Sequence, residues 1–223
     1  MEKRDILTTR LLLAGFVLLA AAVLALCMDY NASLPEKVLR PLSFVEQEEI
    51  MARNSPLTGY VRLSPNADFP RGEPVRKVTV HHMAADLGLE ELGEAFGNRD
   101  RQASSNYAID SRGRVALYVE ERDRAWTSSS KENDDQAVTI EVANDRMGGD
   151  WHVSDEAYAA LVELCTDICR RNGIPELTYT GDAGGTLTTH RMFRPETECP
   201  GPYLAGRMEE LAREVNRRLA EEG

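Results

Sequence analysis

Alternation and periodicity divide the chain into recognisable pieces. Residues 77–81 alternate as a short β-strand that ends on a histidine pair, His81-His82. Leu87, Leu89, Leu92, Ala95 and Phe96 recur at helical spacing ahead of Gly97, which marks a helix with a glycine stop. Two apolar runs, 106–110 and 115–119, flank Ser111-Arg112-Gly113, the signature of a hairpin with its glycine in the turn. Residues 137–143 form a strand rich in Val and Ile that contains one carboxylate, Glu141. Ser154, followed by Asp155 and Glu156, starts a long helix that suits the helix dipole and ends at Gly173. A last helix covers 203–219. Strands and helices alternate, which predicts an α/β domain built on a single mixed β-sheet flanked by helices.

The N-terminal pattern is different. Residues 11–28 are an unbroken run of 18 uncharged, mostly apolar residues, which as a helix rises roughly 27 Å, close to the hydrocarbon thickness of a bilayer. Lys3, Arg4 and Arg10 precede it and bias the N-terminus toward the cytoplasm. The expectation is a cytoplasmic segment at 1–10, an N-terminal transmembrane helix at 11–28, a stalk at 29–54 with Pro35 and Pro41, and a main domain at 55–223. That arrangement makes a single-pass protein of the cell membrane with its main domain outside the cytoplasm. A cleavable signal peptide, cut after Ala20-Ala21-Ala22 or Val23-Leu24-Ala25, would instead give a secreted protein. Lipid modification at Cys27 is a third reading, although Leu26 stands where that pattern wants a small residue.

Charge narrows the function. Thirty-seven acidic against 26 basic residues give a net charge of -11, which repels polyanions and excludes electrostatic binding of nucleic acid. Apolar residues at 42% and charged residues at 28% suit a globular domain with a sizeable core, expected as a monomer.

Four histidines and four cysteines suffice for one metal site. A catalytic zinc takes three protein ligands and leaves a fourth position open. His81 or His82, His190 and Cys199 are the candidates, gathered at strand ends and loops; the alternative is a surface histidine and a buried free cysteine. Strand alternation sends His81 and His82 to opposite faces, so one of them can ligate. Cys165 and Cys169 share an apolar helical stripe with Leu161, Leu164 and Ile168 and read as core. His152 reads as a packing or capping residue. Glu141 is costly to bury inside a Val/Ile strand unless it has a partner, which makes it either a site residue or a solvated edge-strand carboxylate.

Taken together, Val78-Thr79-Val80-His81-His82, the stretch Ser104-Ser105-Asn106-Tyr107-Ala108-Ile109-Asp110-Ser111-Arg112-Gly113, Glu121-Arg122-Asp123-Arg124-Ala125-Trp126, Val138-Thr139-Ile140-Glu141-Val142, His190-Arg191 and Glu198-Cys199-Pro200-Gly201 resemble the zinc-dependent N-acetylmuramoyl-L-alanine amidases of the type-2 amidase and peptidoglycan-recognition-protein family. Ser55-Pro56-Leu57 and Leu63-Ser64-Pro65-Asn66 resemble its phage-lysin-like members. The resemblance implies that a zinc ion binds His81, His190 and Cys199, that Glu141 is the general base, and that the substrate is peptidoglycan or a muropeptide. It also implies that Thr197 assists catalysis and that Trp126, Tyr107 and Asn106 line the groove. Ser105 stands where phage amidases carry a tyrosine, and Thr197 where they carry a lysine, as in the catalytic recognition proteins. The alternative is a non-catalytic peptidoglycan-binding module, whose marker is loss of a zinc ligand.

Overall fold

The computed structural model describes residues 15–19 and 34–221, and the chain divides into two units, 1–39 and 40–223. In the first unit residues 15–19 are helical, with Phe16, Val17, Leu18 and Leu19 exposed, and Glu36–Val38 form a 3-10 turn. Among the described residues no helix is long and apolar enough to cross a membrane. The remainder of the expected anchor, 11–14 and 20–28 with Cys27, lies outside the described residues.

The second unit begins earlier than the expected boundary at Ser55. Helix α1, Phe44–Arg53, falls in the supposed stalk but is closed by a reciprocal capping box between Ser43 and Glu46. It buries Ile50, its Arg53 pairs with buried Glu120, and Asn54 Oδ1 accepts the amide of Glu121 at 2.8 Å. These anchors make α1 part of the domain.

Beyond α1 come β1 (Thr58–Val61), β2 (Ala67–Asp68), β3 (Lys77–His82), α2 (Leu89–Gly97), β4 (Tyr107–Ile109), β5 (Val115–Leu117), β6 (Arg124–Ala125), α3 (Lys131–Gln136), β7 (Ala137–Val142), α4 (Asp155–Asn172), β8 (Leu187–Thr189), α5 (Gly201–Ala205) and α6 (Met208–Glu221). Six strands form one mixed sheet in the order β1-β5-β4-β7-β3-β8; β4 and β5 are the antiparallel hairpin, and the other neighbours run parallel. A separate antiparallel pair joins β2 to β6. The hairpin turns at Gly113, whose φ of 76° suits glycine. Ser154 caps α4 by accepting the amide of Ala157, and Gly173, at φ 66°, closes it. The final helix is broken between α5 and α6 at Gly206-Arg207.

The two faces of the sheet are chemically distinct. On β3 and β7, Val78, Val80, Val138, Ile140 and Val142 alternate with Thr79, His81, Thr139 and Glu141, and the in-register pairing Thr79↔Thr139 and His81↔Glu141 aligns the polar set on one face. The opposite face carries Tyr107, which meets α4 through a buried polar network. Glu121 accepts from the Tyr107 hydroxyl at 2.7 Å, from Arg171 at 2.6 and 2.9 Å and from Asn172 at 2.8 Å. Helix α6 packs along α4, burying Leu211 and Val215. On the polar side, Leu89, Leu92 and Phe96 of α2 pack on Ala108, Ala116 and Tyr118. Cys165 and Cys169 are free, fully buried core residues, as the helical stripe predicts.

Candidate active site

Strands β3, β7 and β8 run parallel, so their carboxyl ends meet at one edge of the sheet, where open α/β sheets gather ligands. His81 is at the end of β3, Glu141 at the end of β7, and His190 opens the 3-10 turn that follows β8. Below them lies a row of hydrogen-bonded hydroxyls, all buried except the half-buried Thr127: Thr79 and Thr188 share a hydrogen bond of 2.9 Å, Asn133 donates to Thr79 at 3.0 Å, and Thr127 and Thr139 share one of 2.8 Å. This row satisfies the polar face and leaves its last register step to Glu141 and His81.

The loop from His190 brings Cys199 back to the same point. One potential ligand atom each from His81, His190 and Cys199 lies within 4.8 Å of the others, and Cys199 Sγ is 3.5 Å from His81 Nδ1. The rings of His81 and His190 are tilted against each other at a centroid distance of 4.8 Å. His81 is 1% exposed and Cys199 7%, with His190 partly open. The sulfur accepts the backbone N–H of His82 at the end of β3. Helix α5, after Cys199, has only five residues.

Burial, reinforced by His190 and His82, holds His81 well below the usual histidine range, so its imidazole is neutral. Burial and the neighbouring Glu141 raise the Cys199 thiol far above its ordinary value. A thiolate here needs a compensating cation. The Nε2 atoms of His81 and His190 are buried without a hydrogen-bond partner, as is Oε2 of Glu141. Unpartnered buried lone pairs beside one another fit a site that could hold a metal ion. Burial pushes Glu141 up to about 8, and the guanidinium of Arg101 opposes that shift.

His82 points away from the cluster, as strand alternation requires. Its ring meets the edge of Trp151 at 5.3 Å, and Trp151 donates to Glu198 at 3.3 Å, bracing the Cys199 loop from the other side. Trp151 sits at φ 53°, in the left-handed region that disfavours a bulky side chain. The Gly148-Gly149 pair just before it is the only sequence signal of this loop. His152 is a packing residue: Nδ1 contacts Asp145 at 2.6 Å and its ring lies 4.6 Å from that of Tyr203.

Thr197 is half-buried, and its hydroxyl oxygen accepts the amide of Cys199 at 3.2 Å. Trp126 and Glu141 share the walls of a small cleft with Thr127, Phe96, Leu92 and Arg101. The indole N–H of Trp126 donates to Asp68 at 2.9 Å and its amide to Ser104 Oγ at 3.1 Å. Two groove residues expected from the sequence lie elsewhere. Tyr107 is fully buried and bonded to Glu121 and to the amide of Ser55. Asn106 is also fully buried; it donates to the carbonyls of Val119 and Glu120 and accepts the amide of Thr139. Both are scaffold, because a fully enclosed side chain whose polar atoms are engaged by protein has nothing left for a ligand.

A family model described as N-acetylmuramoyl-L-alanine amidase matches residues 71–202, a span that contains His81, Glu141, His190 and Cys199. This chain belongs to the N-acetylmuramoyl-L-alanine amidase family. As a member it is an amidase that hydrolyses the bond between N-acetylmuramic acid and L-alanine in peptidoglycan. Solved structures share the fold. That of PlyL is 19% identical and superposes with a TM-score of 0.56 over 70% of this chain and 95% of its own. A selenomethionine derivative of AmpD is 20% identical, with a TM-score of 0.53 over 69% and 93%. A mutant endolysin from Bacillus subtilis is 15% identical, with a TM-score of 0.53 over 70% and 97%. No curated protein sequence matches the chain.

Proposed function

We propose that this amidase works with a single zinc ion held by His81, His190 and Cys199, with Glu141 as its general base. The observation that carries this reading is the convergence of the three ligand atoms within 4.8 Å beside Glu141, the register partner of His81. The donor set fits: two imidazoles and one sulfur are zinc-type ligands and leave a fourth position for substrate or solvent. When bound, zinc supplies Lewis acidity for the scissile carbonyl and acidifies water to the point of useful nucleophilicity near neutral pH.

The chain's own residues do the rest. Glu141 takes the proton of the attacking water and delivers it to the departing L-alanine amine. Its raised proton affinity equips it for the second step, and a cation held by His81, His190 and Cys199 would lower that affinity and favour the first. Thr197 fixes the Cys199 loop through its hydroxyl oxygen and keeps the hydroxyl hydrogen to donate to the developing oxyanion. Trp126, pinned by Asp68 and Ser104, forms a wall of the groove. The apolar run at 11–28, preceded by Lys3, Arg4 and Arg10, supports a membrane tether that keeps the domain on the peptidoglycan side.

Metal analysis of the purified full chain and of His190→Ala tests the assignment. One zinc per wild-type chain, lost in the variant, is the expected result. A fully active enzyme that carries no zinc overturns it.

A further inference from the structure

We propose that Arg101 selects the stem peptide: its guanidinium receives a free carboxylate on the second stem residue, one residue beyond the scissile amide. This deepens the amidase reading and rests on it. Arg101 lines the same cleft as Glu141 and Trp126. It closes the 3-10 turn Arg99–Arg101, which is capped by the Asn98 side chain and ended by Gln102 in the left-handed conformation at φ 52°. The guanidinium carbon lies 5.8 Å from the centre of the Phe96 ring, a cation–π contact that orients the head group without consuming its hydrogen-bond donors.

Arg101 combines a place in the cleft with a guanidinium unpaired among the described residues. In a chain with 37 acidic and 26 basic residues, the arginines at 53, 62, 114, 122, 124 and 171 each hold a carboxylate. Arg101 forms no ion pair among the described residues, although its field reaches Glu141. A charged fork with open donors at the wall of a reaction cleft is matched to a carboxylate.

The substrate's chemistry says which carboxylate. The lactyl carboxyl of the muramyl group is consumed in the scissile amide, and the sugar offers only neutral hydroxyl and acetamido groups. Negative charge therefore lies on the peptide side, and its first carrier after L-alanine is the second residue, which is either a free acid or its carboxamide. An arginine site built for a carboxylate loses a charge-assisted hydrogen bond when offered the amide, a difference of about tenfold or more in affinity.

The test measures kcat and KM of the full chain, wild type, Arg101→Gln and Arg101→Lys, on two synthetic muramyl dipeptides. One is N-acetylmuramoyl-L-alanyl-D-glutamate with its γ-carboxyl capped as the methylamide and its α-carboxylate free, and the other is the same γ-methylamide with the α-carboxyl as the carboxamide. The wild type is expected to prefer the acid by about tenfold, chiefly through KM. Arg101→Gln brings the ratio close to one, and Arg101→Lys keeps part of it. A wild-type ratio near one overturns the proposal, as does a ratio that survives Arg101→Gln. An equal loss on both substrates also overturns it, because that pattern belongs to a residue acting through the fold or through Glu141. If the wild type cleaves neither compound, the amidase reading fails first and the selection falls with it.

Discussion

His81 and Glu141 are register partners on adjacent parallel strands, β3 and β7, so an imidazole of the His81-His190-Cys199 cluster and a half-buried carboxylate project from the same face at the same level of the sheet. Backbone pairing, rather than loop conformation, fixes their separation. Glu141→Gln keeps the shape of the side chain and removes its basicity. The variant is expected to retain zinc and to lose roughly 10²–10⁴-fold in kcat, the usual contribution of a general base. Zinc analysis alongside steady-state kinetics checks this; unimpaired turnover would remove Glu141 from proton transfer.

Cys199 presents the one sulfur of the cluster, with the backbone N–H of His82 aimed at it. In Cys199→Ser the softer, more easily ionised ligand is replaced by a hydroxyl that keeps its proton, so zinc affinity and activity should fall together. Chelator-competition titration measures the first and muropeptide hydrolysis the second. A serine variant that binds zinc as tightly as the wild type would show that the sulfur is not a ligand.

Gly201 is the close-approach point of the ligand loop. Its φ is 79°, and a methyl group there would stand 2.9 Å from Cβ of Trp151 and 3.0 Å from Nδ1 of His82. Gly201→Ala must displace a backbone two residues from Cys199, at roughly 1–3 kcal/mol of strain. A lower melting temperature together with weaker zinc binding is the expected outcome. Loss of stability with zinc affinity intact would separate this loop from the metal site.

Tyr107 is expected to matter for stability alone. Tyr107→Phe leaves the amide of Ser55 and a carboxylate oxygen of Glu121 each one partner short, at about 1–3 kcal/mol. Thermal unfolding should register the loss while KM for muropeptide stays at the wild-type value. A raised KM in a variant of unaltered stability would put Tyr107 back in the groove.

Much of this arrangement is legible in the sequence because it depends on alternation. The period of two in β3 and β7 places His81 and Glu141 on one face and His82 on the other, and Ser154 and Gly173 mark both ends of α4. The legibility stops where tertiary context supplies what the local pattern lacks. Helix α3, Lys131–Gln136, has no apolar stripe and relies on the Ser130 cap; β8, Leu187–Thr189, is three residues long and is a strand only because β3 pairs with it. Residues 44–53 read as a charged linker until Ile50 and Arg53 find their partners in the domain. Tyr107 and Asn106 sit inside a motif that names the family, but a motif does not state which members touch substrate. Arg101 precedes that motif among Arg99-Asp100-Arg101, and only the cleft distinguishes it from a solvated surface charge.

The most direct measurement is mass analysis of the fragments released from purified peptidoglycan sacculi by the full chain, before and after treatment with a chelator and again after zinc is restored. The account predicts stem peptides with a newly freed L-alanine amine, their disappearance on chelation and their return with zinc. Release that is indifferent to the chelator, or fragments cut within the glycan or farther along the peptide, would contradict it.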